Sequence, residues 1–386
     1  MPADAVPPAG TAWPELHDGQ GRVLLELLRS GDLARVRLAE RVGLSRASLT
    51  RIARELVELG LVEEGEAQAR HARGRPAEML RLRPESAHFV GVKLTGDAAY
   101  VVVTDLSARV VNETSAPLDS REVDAVVALV AELAARVADP ARPPVAVGVA
   151  VAGDIDRADA RAILRRSNFL GWDGVPLAER IAAATGLPST VVNDVHALTG
   201  AHHWFGGRAR HRSLVVFGVG AGIGSGVVVE DELVTGAHGR AGRVGHARIG
   251  GLAPGRRCDN GHDDCVHSYA TIPAIEEGSG VGPGRYAEAV ALARAGDQTA
   301  LAAFARASAA LGAAIAEAVN AFDPEVVVVM GEGLDMLDLA PEPLAGALAD
   351  GLEQVDPAQV RIERPGFHFD HYARGAAVAA MRSLLS

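Results

Sequence analysis

The N-terminal part of the chain carries apolar residues at the spacing of short helices. They recur at helical intervals over residues 21–29, over 33–42 and from Ser45 onward. Gly43 lies between the second and third segments, where glycine can adopt the positive φ of a sharp turn, and Ala39 is small enough for two helices to cross. The pattern predicts a helix-turn-helix, a motif that places its second helix in the DNA major groove. An ordinary helical hairpin is the alternative.

Further along the chain, apolar runs of strand length alternate with longer segments of helical period. Two short strands with a tip between them, a wing, are predicted over residues 59–82. The other predicted strands span residues 89–94, 100–106, 145–151, 190–192, 213–219, 226–229 and 325–330. The predicted helices span residues 123–138, 177–185, 299–322 and 373–385. This alternation is typical of an α/β fold.

The charge of the chain is unevenly distributed. Its 386 residues carry a formal net charge of −11, which by itself argues against a nucleic-acid-binding protein. Between Arg22 and Arg83, however, thirteen arginines accompany nine acidic residues, so this segment carries +4 and the remainder −15. A small basic head on an acidic body fits contact with DNA at one end only.

Composition also indicates the compartment. Two cysteines, Cys258 and Cys265, argue against a secreted disulfide framework. No apolar run resembles a membrane span, and residues 1–10 lack the pattern of a signal peptide. We therefore expect a cytoplasmic protein that makes no membrane contact.

The predicted third helix and the wing tip carry the candidate DNA contacts. These are Ser45, Arg46, Ala47, Thr50, Arg51 and Arg54 on the helix and Arg73, Gly74 and Arg75 in the wing. Arg46 and Arg51 are expected to reach guanine edges, and Arg54 to meet a phosphate. The Arg-Gly-Arg strip suits a narrow, A·T-rich minor groove. The alternatives are a solvated helix face and a flexible basic linker.

Several motifs of the body occur in the order that marks one family. They are Asn168-Phe-Leu-Gly-Trp172, Pro176-Leu177, Gly186-Leu-Pro188, Asn193-Asp194, Gly220-Ala-Gly-Ile-Gly-Ser-Gly226, Ala241-Gly242, Gly245-His246, Cys258 with Cys265, and Asp323-Pro-Glu-Val-Val-Val. On these motifs the chain resembles the ROK family (repressors, open reading frames, kinases) over nearly all of residues 19–386. The resemblance implies an N-terminal winged helix-turn-helix and a two-lobed actin-like (ribonuclease H-like) sugar-kinase fold, with the ligand in the cleft between the lobes.

Pattern and resemblance together predict four parts of the chain. Residues 1–18 are expected to be a disordered tail, and residues 19–84 the winged helix-turn-helix. The first α/β lobe is expected over residues 85–198, together with a C-terminal helix at about 370–386. The second lobe, with its altered zinc loop, is expected over 199–369.

The kinase motifs of the family are altered here. The usual first phosphate loop reads Gly-x-Asp-x-Gly-Gly-Thr, whereas this chain has Gly91-Val-Lys93-Leu-Thr95-Gly96-Asp97. Lys93 stands where a carboxylate serves the metal-nucleotide, and Ala221 replaces the usual Thr of the second loop. We therefore expect no ATP binding and no enzyme activity. Asp194, which matches the catalytic base of the kinases, is interpreted as a ligand-binding residue.

The zinc loop of the family is also changed. The resemblance implies His246, Cys258 and Cys265 as zinc ligands, while Asn260 stands where the third Cys is expected. The fourth ligand could be His262, Asp263 or water. A loop without metal, held by hydrogen bonds, is one alternative, and pairing of the two cysteines is another.

The resemblance further implies the effector-binding residues. These are Asn168, Asn193, Asp194, Arg243, His246 and His267. Arg243 and His267 replace two sugar-contacting glutamates, so the site gains positive potential, and an anionic sugar derivative is the predicted effector. The alternatives are drift in a protein that no longer senses a sugar, and an Arg243 that pairs internally with Asp194 or a nearby acid.

These features predict a DNA-binding transcriptional regulator, more specifically a repressor. Its expected partners are a double-stranded DNA operator, a small-molecule effector and further copies of the chain in a homodimer or tetramer. Two other classes stay open. One is an ATP-dependent sugar kinase with an appended DNA-binding head, and the other is a ligand-independent DNA-binding regulator.

Overall fold

The computed structural model describes residues 13–65, 79–156, 162–206, 211–250, 255–258 and 260–385. The chain divides into two compact units. Unit 1 comprises Met1–Gly207 and Tyr372–Ser386, and unit 2 comprises Arg208–His371.

The helices and strands are numbered in chain order. The helices are α1 Asp18–Ser30, α2 Arg35–Val42, α3 Arg46–Glu58, α4 Val123–Val137, α5 Leu177–Thr185, α6 Asp194–Phe205, α7 His267–Ala270, α8 Ile272–Gly278, α9 Tyr286–Arg294, α10 Gln298–Phe322, α11 Met336–Leu339, α12 Pro341–Gly351 and α13 Asp370–Leu385. The strands are β1 Leu33–Ala34, β2 Val62–Gly65, β3 Met79–Leu82, β4 His88–Leu94, β5 Ala98–Asp105, β6 Val110–Pro117, β7 Ala146–Val151, β8 Asp154–Asp156, β9 Ile163–Ser167, β10 Trp172–Val175, β11 Ser189–Asn193, β12 Leu214–Val219, β13 Ile223–Val229, β14 Glu232–Val234, β15 Val326–Met330 and β16 Ile362–Glu363.

The first three helices and three strands form the winged helix. Gly43 ends α2 with a φ of +66°, and the Ser45 hydroxyl accepts the Ser48 N–H at 3.1 Å to cap α3. The small antiparallel sheet has the order β1-β3-β2. The predicted wing contacts Arg73, Gly74 and Arg75 lie outside the described residues.

The rest of unit 1 is built on a five-stranded sheet of order β11-β7-β4-β5-β6. Strands β11, β7 and β4 are parallel, while β5 and β6 are added antiparallel. Helices α4 and α5 cover one face of this sheet, and α6 and α13 cover the other. A second small sheet, β10-β9-β8, packs against the α4 and α5 side.

Helix α13 lies in direct backbone contact with the central strands. A Cβ built on Gly91 of β4 would lie 1.9 Å from the Ala373 carbonyl oxygen, and one on Gly148 of β7 would lie 1.8 Å from that of Ala376. Only glycine permits so close an approach of helix and sheet. The last helix is therefore fixed on β4 and β7.

One hydrophobic core joins the winged helix to the sheet. It contains Leu24 and Leu27 of α1 together with Phe89 of β4, Trp204 of α6 and Met381 of α13. Trp13 also packs here, with its ring 5.9 Å from that of Phe89. The predicted tail extended to residue 18, but this contact orders the chain from residue 13, because burial of an indole ring stabilises the segment that carries it.

Unit 2 is built on a sheet of order β14-β13-β12-β15-β16, and helix α10 crosses its core. Residues 298–322 form the one described helix that is long and apolar enough to span a membrane. No run of this kind was predicted from the sequence. In the fold, 61% of the apolar window of α10 is buried, and α12 packs along it at Gly312, as in the core helix of a globular unit.

The alternation of strands and helices agrees with the predicted α/β class, and the main elements lie within a few residues of their predicted bounds. Helix α6 continues without a break to Phe205, so the structural boundary between the units lies after it and not at residue 198. Strands β6, β14 and β16, the small sheet β8–β10 and helices α6–α9, α11 and α12 were not predicted, and β1 occupies the first two residues of the predicted second helix.

Candidate functional site

The predicted DNA-contacting residues of α3 lie together. Leu49, Ile52 and Leu56 point into the core. The opposite, exposed face of the helix and its cap carries Ser45, Arg46, Ala47, Thr50, Arg51 and Arg54. The amphipathic pattern of α3 therefore presents three guanidinium groups on one surface.

The three arginines differ in their partners. Arg51 donates to Glu55 Oε1 at 2.7 Å, and Glu55 also accepts hydrogen bonds from His17 Nε2 at 3.1 Å and Gln20 Nε2 at 3.0 Å. These donors, His17 foremost, hold the pKa of Glu55 below its usual range, so its charge persists beside Arg51. Among the described residues, Arg46 and Arg54 have no ion-pair partner. These two arginines can therefore contact a nucleic acid without first breaking an ion pair.

Three candidate ligand residues lie in unit 1. Asn193 caps α6, since its Oδ1 accepts the N–H groups of Val195 at 3.0 Å and His196 at 3.3 Å, while its Nδ2 donates to the Gly153 carbonyl at 3.1 Å. Asn168 is exposed and accepts from Arg166 Nε at 3.0 Å. Asn193 thus holds the loop through three hydrogen bonds, whereas Asn168 is exposed to solvent.

Asp194 is paired with Lys93. The Lys93 ammonium donates to Asp194 Oδ2, and the two side chains are 6% and 14% exposed. Asp194 Oδ1 accepts the Val195 N–H at 3.0 Å, and the ammonium also lies 4.7 Å from the centre of the Tyr372 ring. Both residues were identified from the sequence, but their contact was not predicted. The signal was present, since Lys93 lies near the carboxyl end of β4 and Asp194 follows the carboxyl end of β11, a parallel strand of the same sheet that is separated from β4 by β7.

The altered first phosphate loop forms a tight turn between β4 and β5. Thr95 Oγ1 donates to Asp97 Oδ1 at 2.7 Å and accepts the Ala98 N–H at 3.0 Å. The residues that replaced the family motif therefore bind one another. Such a turn offers carboxylate rather than backbone N–H groups, which is unsuited to a phosphate.

The second glycine loop, in unit 2, faces a carboxylate. It connects β12 to β13, and a Cβ built on Gly220 would lie 2.3 Å from Glu332 Oε1. A phosphate placed against this loop would be repelled by Glu332.

The remaining candidate ligand residues are in unit 2. Arg243 is exposed next to Gly242, which has a φ of +83° and whose carbonyl accepts the Ser225 N–H at 2.9 Å. The rings of His246 and His267 are stacked, with centres 5.0 Å apart, and both are half-buried. The loop that carries Arg243 is thus fixed on β13, and the two imidazoles form one surface.

Four potential metal ligands converge in the altered zinc loop. The donor atoms of His246, Cys258, His262 and Cys265 all lie within 4.8 Å of one another. His246 Nδ1 is 3.6 Å from Cys258 Sγ and 3.9 Å from Cys265 Sγ. Neighbouring ligands around a tetrahedral zinc lie roughly 3.5 Å apart, so two thiolates and two imidazoles in this arrangement fit the ion.

Asn260 has a role beside this cluster. Its side-chain amide lies 2.9 Å from His246 Nε2, the ring nitrogen that faces away from the sulfur atoms. If the amide is flipped so that its oxygen accepts the Nε2–H, it fixes the orientation of the imidazole and leaves Nδ1 for a metal. Burial raises the pKa of the Cys258 thiol, so a cation is needed to hold the thiolate form here.

Hydrogen bonds support the same loop. Asp264 accepts from Tyr269 OH at 2.7 Å and from the N–H groups of Gly255 at 3.0 Å and Arg256 at 3.2 Å. The hydrogen bond from Tyr269 lowers the pKa of Asp264, while burial and this carboxylate raise the pKa of Tyr269 to about 12. The loop therefore has a framework that does not depend on metal.

Comparisons with known proteins agree with this architecture. The model of the ROK family matches residues 89–383, and that of the MarR family matches residues 15–74. The DNA-binding transcriptional dual regulator NagC of Escherichia coli (strain K12) is 27% identical over 318 residues, which is 78% of this chain and 77% of NagC. A glucokinase of Thermotoga maritima is 31% identical over 262 residues, or 63% of this chain and 81% of the kinase.

A solved structure covers the fold from end to end. The crystal structure of a ROK family transcriptional regulator, a homologue of the E. coli MLC protein, superimposes with a TM-score of 0.76 and 23% identity over 95% of this chain and 96% of that one. This likeness confirms the predicted fold class, a winged helix-turn-helix followed by a sugar-kinase-like body. Since regulators and kinases share that body, the choice between them depends on the site residues.

Proposed function

Because this chain belongs to the ROK family and begins with a winged helix like that of the MarR family, we propose that it is a DNA-binding transcriptional repressor with a non-catalytic, effector-sensing body. The observation that carries the proposal is the exposed face of α3, where Arg46 and Arg54 stand without ion-pair partners in the described chain. A basic recognition helix on an acidic body is suited to reading DNA with one part of the molecule.

Two arginine variants test the recognition helix. The probe is the duplex that the wild-type protein selects from a random 30-base-pair pool, and affinity is measured by fluorescence anisotropy at fixed salt. Arg46→Ala should weaken binding by about 1–3 kcal/mol and relax the selection at one position, as for a base contact. Arg54→Ala should weaken binding to all sequences and reduce the salt slope by about one, as for a phosphate contact.

Arg136→Ala is the matched control. Arg136 is an exposed arginine of α4 that pairs with Glu132 at 2.6 Å, so its removal should leave the affinity unchanged. If all three variants bind like the wild type, or if the pool yields no selected sequence, the proposal fails.

We further propose that the body has no kinase activity. A base that accepts a hydroxyl proton must be free to do so, whereas Asp194 is engaged by the Lys93 ammonium, and Glu332 lies against the glycine loop of unit 2. An assay of ADP release with ATP and a panel of hexoses should detect no turnover. Turnover that Asp194→Asn abolishes would contradict this proposal.

The proposed effector is an anionic, hydroxylated small molecule such as a sugar phosphate or sugar acid. Arg243 offers an exposed guanidinium, a fork suited to a carboxylate or phosphate, and His267 adds a second donor when protonated. Calorimetric titration with a neutral hexose, its 6-phosphate and its acid should show preference for the charged forms. Arg243→Glu should abolish that preference; equal binding of the neutral sugar by both proteins would contradict it.

Zinc is the proposed structural metal. His246, Cys258, His262 and Cys265 would hold it, and Asn260 would orient His246. When bound, the ion cross-links the loop of residues 246–265 and performs no chemistry on a substrate.

A homodimer is the proposed assembly. One winged helix reads one half-site, and two copies reading a symmetric operator add the specificity of the second half-site. Sedimentation analysis with and without the selected duplex should show two chains per duplex, whereas one chain per duplex would contradict this assembly.

A further inference from the structure

Lys93 joins the beginnings of two helices. Its ammonium donates to Asp194, the first residue of α6, and lies 4.7 Å from the ring centre of Tyr372, in the first turn of α13. Both charged side chains are largely buried, so the interaction is weakly screened by water and salt. One side chain therefore fixes the N-terminal ends of α6 and α13 relative to β4.

The two helices also hold each other along their length. A Cβ on Gly375 of α13 would lie 2.6 Å from the Ala197 carbonyl oxygen of α6, so the backbones are in contact where the helices cross. Farther along, the Arg382 guanidinium lies 4.5 Å from the centre of the Trp204 ring. Helices α6 and α13 thus form a packed pair.

The far end of α6 contacts the winged helix. His203 Nε2 lies 3.1 Å from Arg29 Nη2 in the last turn of α1, so the arginine donates to the ring. Trp204 lies in the same hydrophobic core as Leu24 and Leu27 of α1.

The far end of α13 also contacts α1. Val378 and Met381 are buried in the core shared with that helix, and a Cβ on Gly21 would lie 3.4 Å from the Leu385 carbonyl oxygen. Helix α1 in turn packs against α3, the helix that carries the candidate DNA contacts. A packed path therefore leads from Lys93 to the recognition helix within unit 1.

Asp194 is the accessible side of the ion pair. Its side chain is 14% exposed against 6% for Lys93, so a solute reaches the carboxylate first. Hydroxyl groups that donate to a carboxylate compete directly with an ammonium that does the same. Occupation of Asp194 would withdraw the strongest contact that Lys93 makes.

We propose that Lys93 is the positioning residue through which a hydroxylated effector bound at Asp194 controls operator affinity. While the Lys93–Asp194 pair is intact, α6 and α13 hold α1 in the arrangement that binds DNA. An effector that takes over the carboxylate loosens both helices and weakens operator binding. The predicted change in operator affinity rests on the proposed repressor function. The coupling between Lys93 and α1 rests only on contacts within unit 1.

The test removes the ion pair without leaving a buried charge. Lys93→Met with Asp194→Asn is compared with Arg136→Met with Glu132→Gln, which removes an exposed pair of the same unit. Hydrogen exchange of the full chain should become about tenfold faster in peptides covering α1, as well as at the starts of α6 and α13, in the first variant and stay unchanged in the second. Exchange that accelerates only near residues 93, 194 and 372 would overturn the proposal.

A second readout separates this proposal from the proposed function. Affinity for the selected duplex should fall by about fivefold or more in the Lys93→Met, Asp194→Asn protein and be unchanged in the control. If no duplex is selected but α1 still exchanges faster, the repressor function fails and the coupling stands. If the duplex binds both variants equally, the coupling fails and the function stands.

Tyr372→Leu provides an independent variant should the double substitution prevent folding. It removes the ring that the ammonium faces but leaves the Lys93–Asp194 ion pair in place, so α1 should exchange faster by a smaller factor. Unchanged exchange in α1 would overturn the proposal.

Discussion

Asn260 stands where the family has a metal-binding cysteine, yet the cluster beside it still has four potential metal ligands. The family resemblance places a thiolate there, but the longer side-chain amide instead contacts His246 Nε2 at 2.9 Å. The ring is then oriented with Nδ1 toward both sulfur atoms, and His262, whose ring centre is 4.9 Å from that of His246, supplies the fourth donor. Two thiolates and two imidazoles make a site of lower negative charge than three thiolates and one imidazole.

Zinc affinity tests these roles. His262→Ala should remove a ligand and release zinc to a chelator, while Asn260→Ala should weaken binding by about 10–100-fold, as for other residues that orient a ligand. The measurement is competition with a colorimetric chelator after purification without added zinc. Asp263→Ala is the control, because its exposed carboxylate lies near Arg257 and outside the cluster. If this control loses zinc and His262→Ala keeps it, the ligand set is wrong.

At the scale of elements, helix α13 depends on glycines in the strands beneath it. Gly91 and Gly148 have no special φ, and their function is to let the helix backbone touch the sheet. This packing fixes Tyr372 over Lys93 and places Met381 against the winged helix. The sequence alone could not indicate it, because a glycine in a strand is compatible with a bulge, a bend or a close approach.

Gly91→Ala is expected to destabilise unit 1 by at least about 3 kcal/mol, because the new methyl group would overlap the Ala373 carbonyl and force the helix away. Urea unfolding followed by circular dichroism measures the change. Gly346→Ala in α12 is the control, since a Cβ there meets nothing within 4 Å and alanine favours the helix. A Gly91→Ala protein as stable as this control would show that α13 is not tightly seated.

Elements whose signals are local were predicted well. Helix α3 is specified by its Ser45 cap and its apolar stripe, and strand β15 by its run of valines, so both lie where the sequence placed them. Strand β6 was missed because its exposed residues, including Asn112 and Glu113, lack the apolar run of a buried strand. Strand β6 forms because it pairs with β5, and its own sequence does not indicate that pairing.

Long-range contacts account for the rest of what was missed. The residues of α3, the Cys pair and Asp194 were found as separate motifs. That Lys93 is the partner of Asp194 depends on how distant segments fold together, whereas His262 was already one of the three candidates for the fourth donor and the path of its own loop brings it into the cluster. Periodicity reports which face of an element is buried, but not which side chain of another element meets it.

At the scale of the whole molecule, the winged helix is not a separate domain with a hydrophobic core of its own. It shares one core with the first sheet, to which Phe89, Trp204 and Met381 contribute. The predicted boundary at residues 84 and 85 therefore separates two parts of the sequence that fold as one body within unit 1.

Met381→Ala should lower the stability of unit 1 by about 2–5 kcal/mol, because it removes a fully buried side chain from that core. Hydrogen exchange in mild denaturant should report the same loss in α1 and in β4. Leu133→Ala, in the core on the opposite face of the sheet, should also lower both equally. Different losses in α1 and β4 for either variant would mean that the winged helix unfolds separately.

Lys93 is the only lysine in the sequence. A protein grown with ¹⁵N-lysine therefore has a single labelled side chain, and its buried ion pair should slow the exchange of the ammonium protons enough to give one resolved resonance. Every metabolite that reaches Asp194 would shift or broaden that one signal. The chain thus carries a built-in spectroscopic probe with which its effector can be searched for, with no foreign label and before any operator is known.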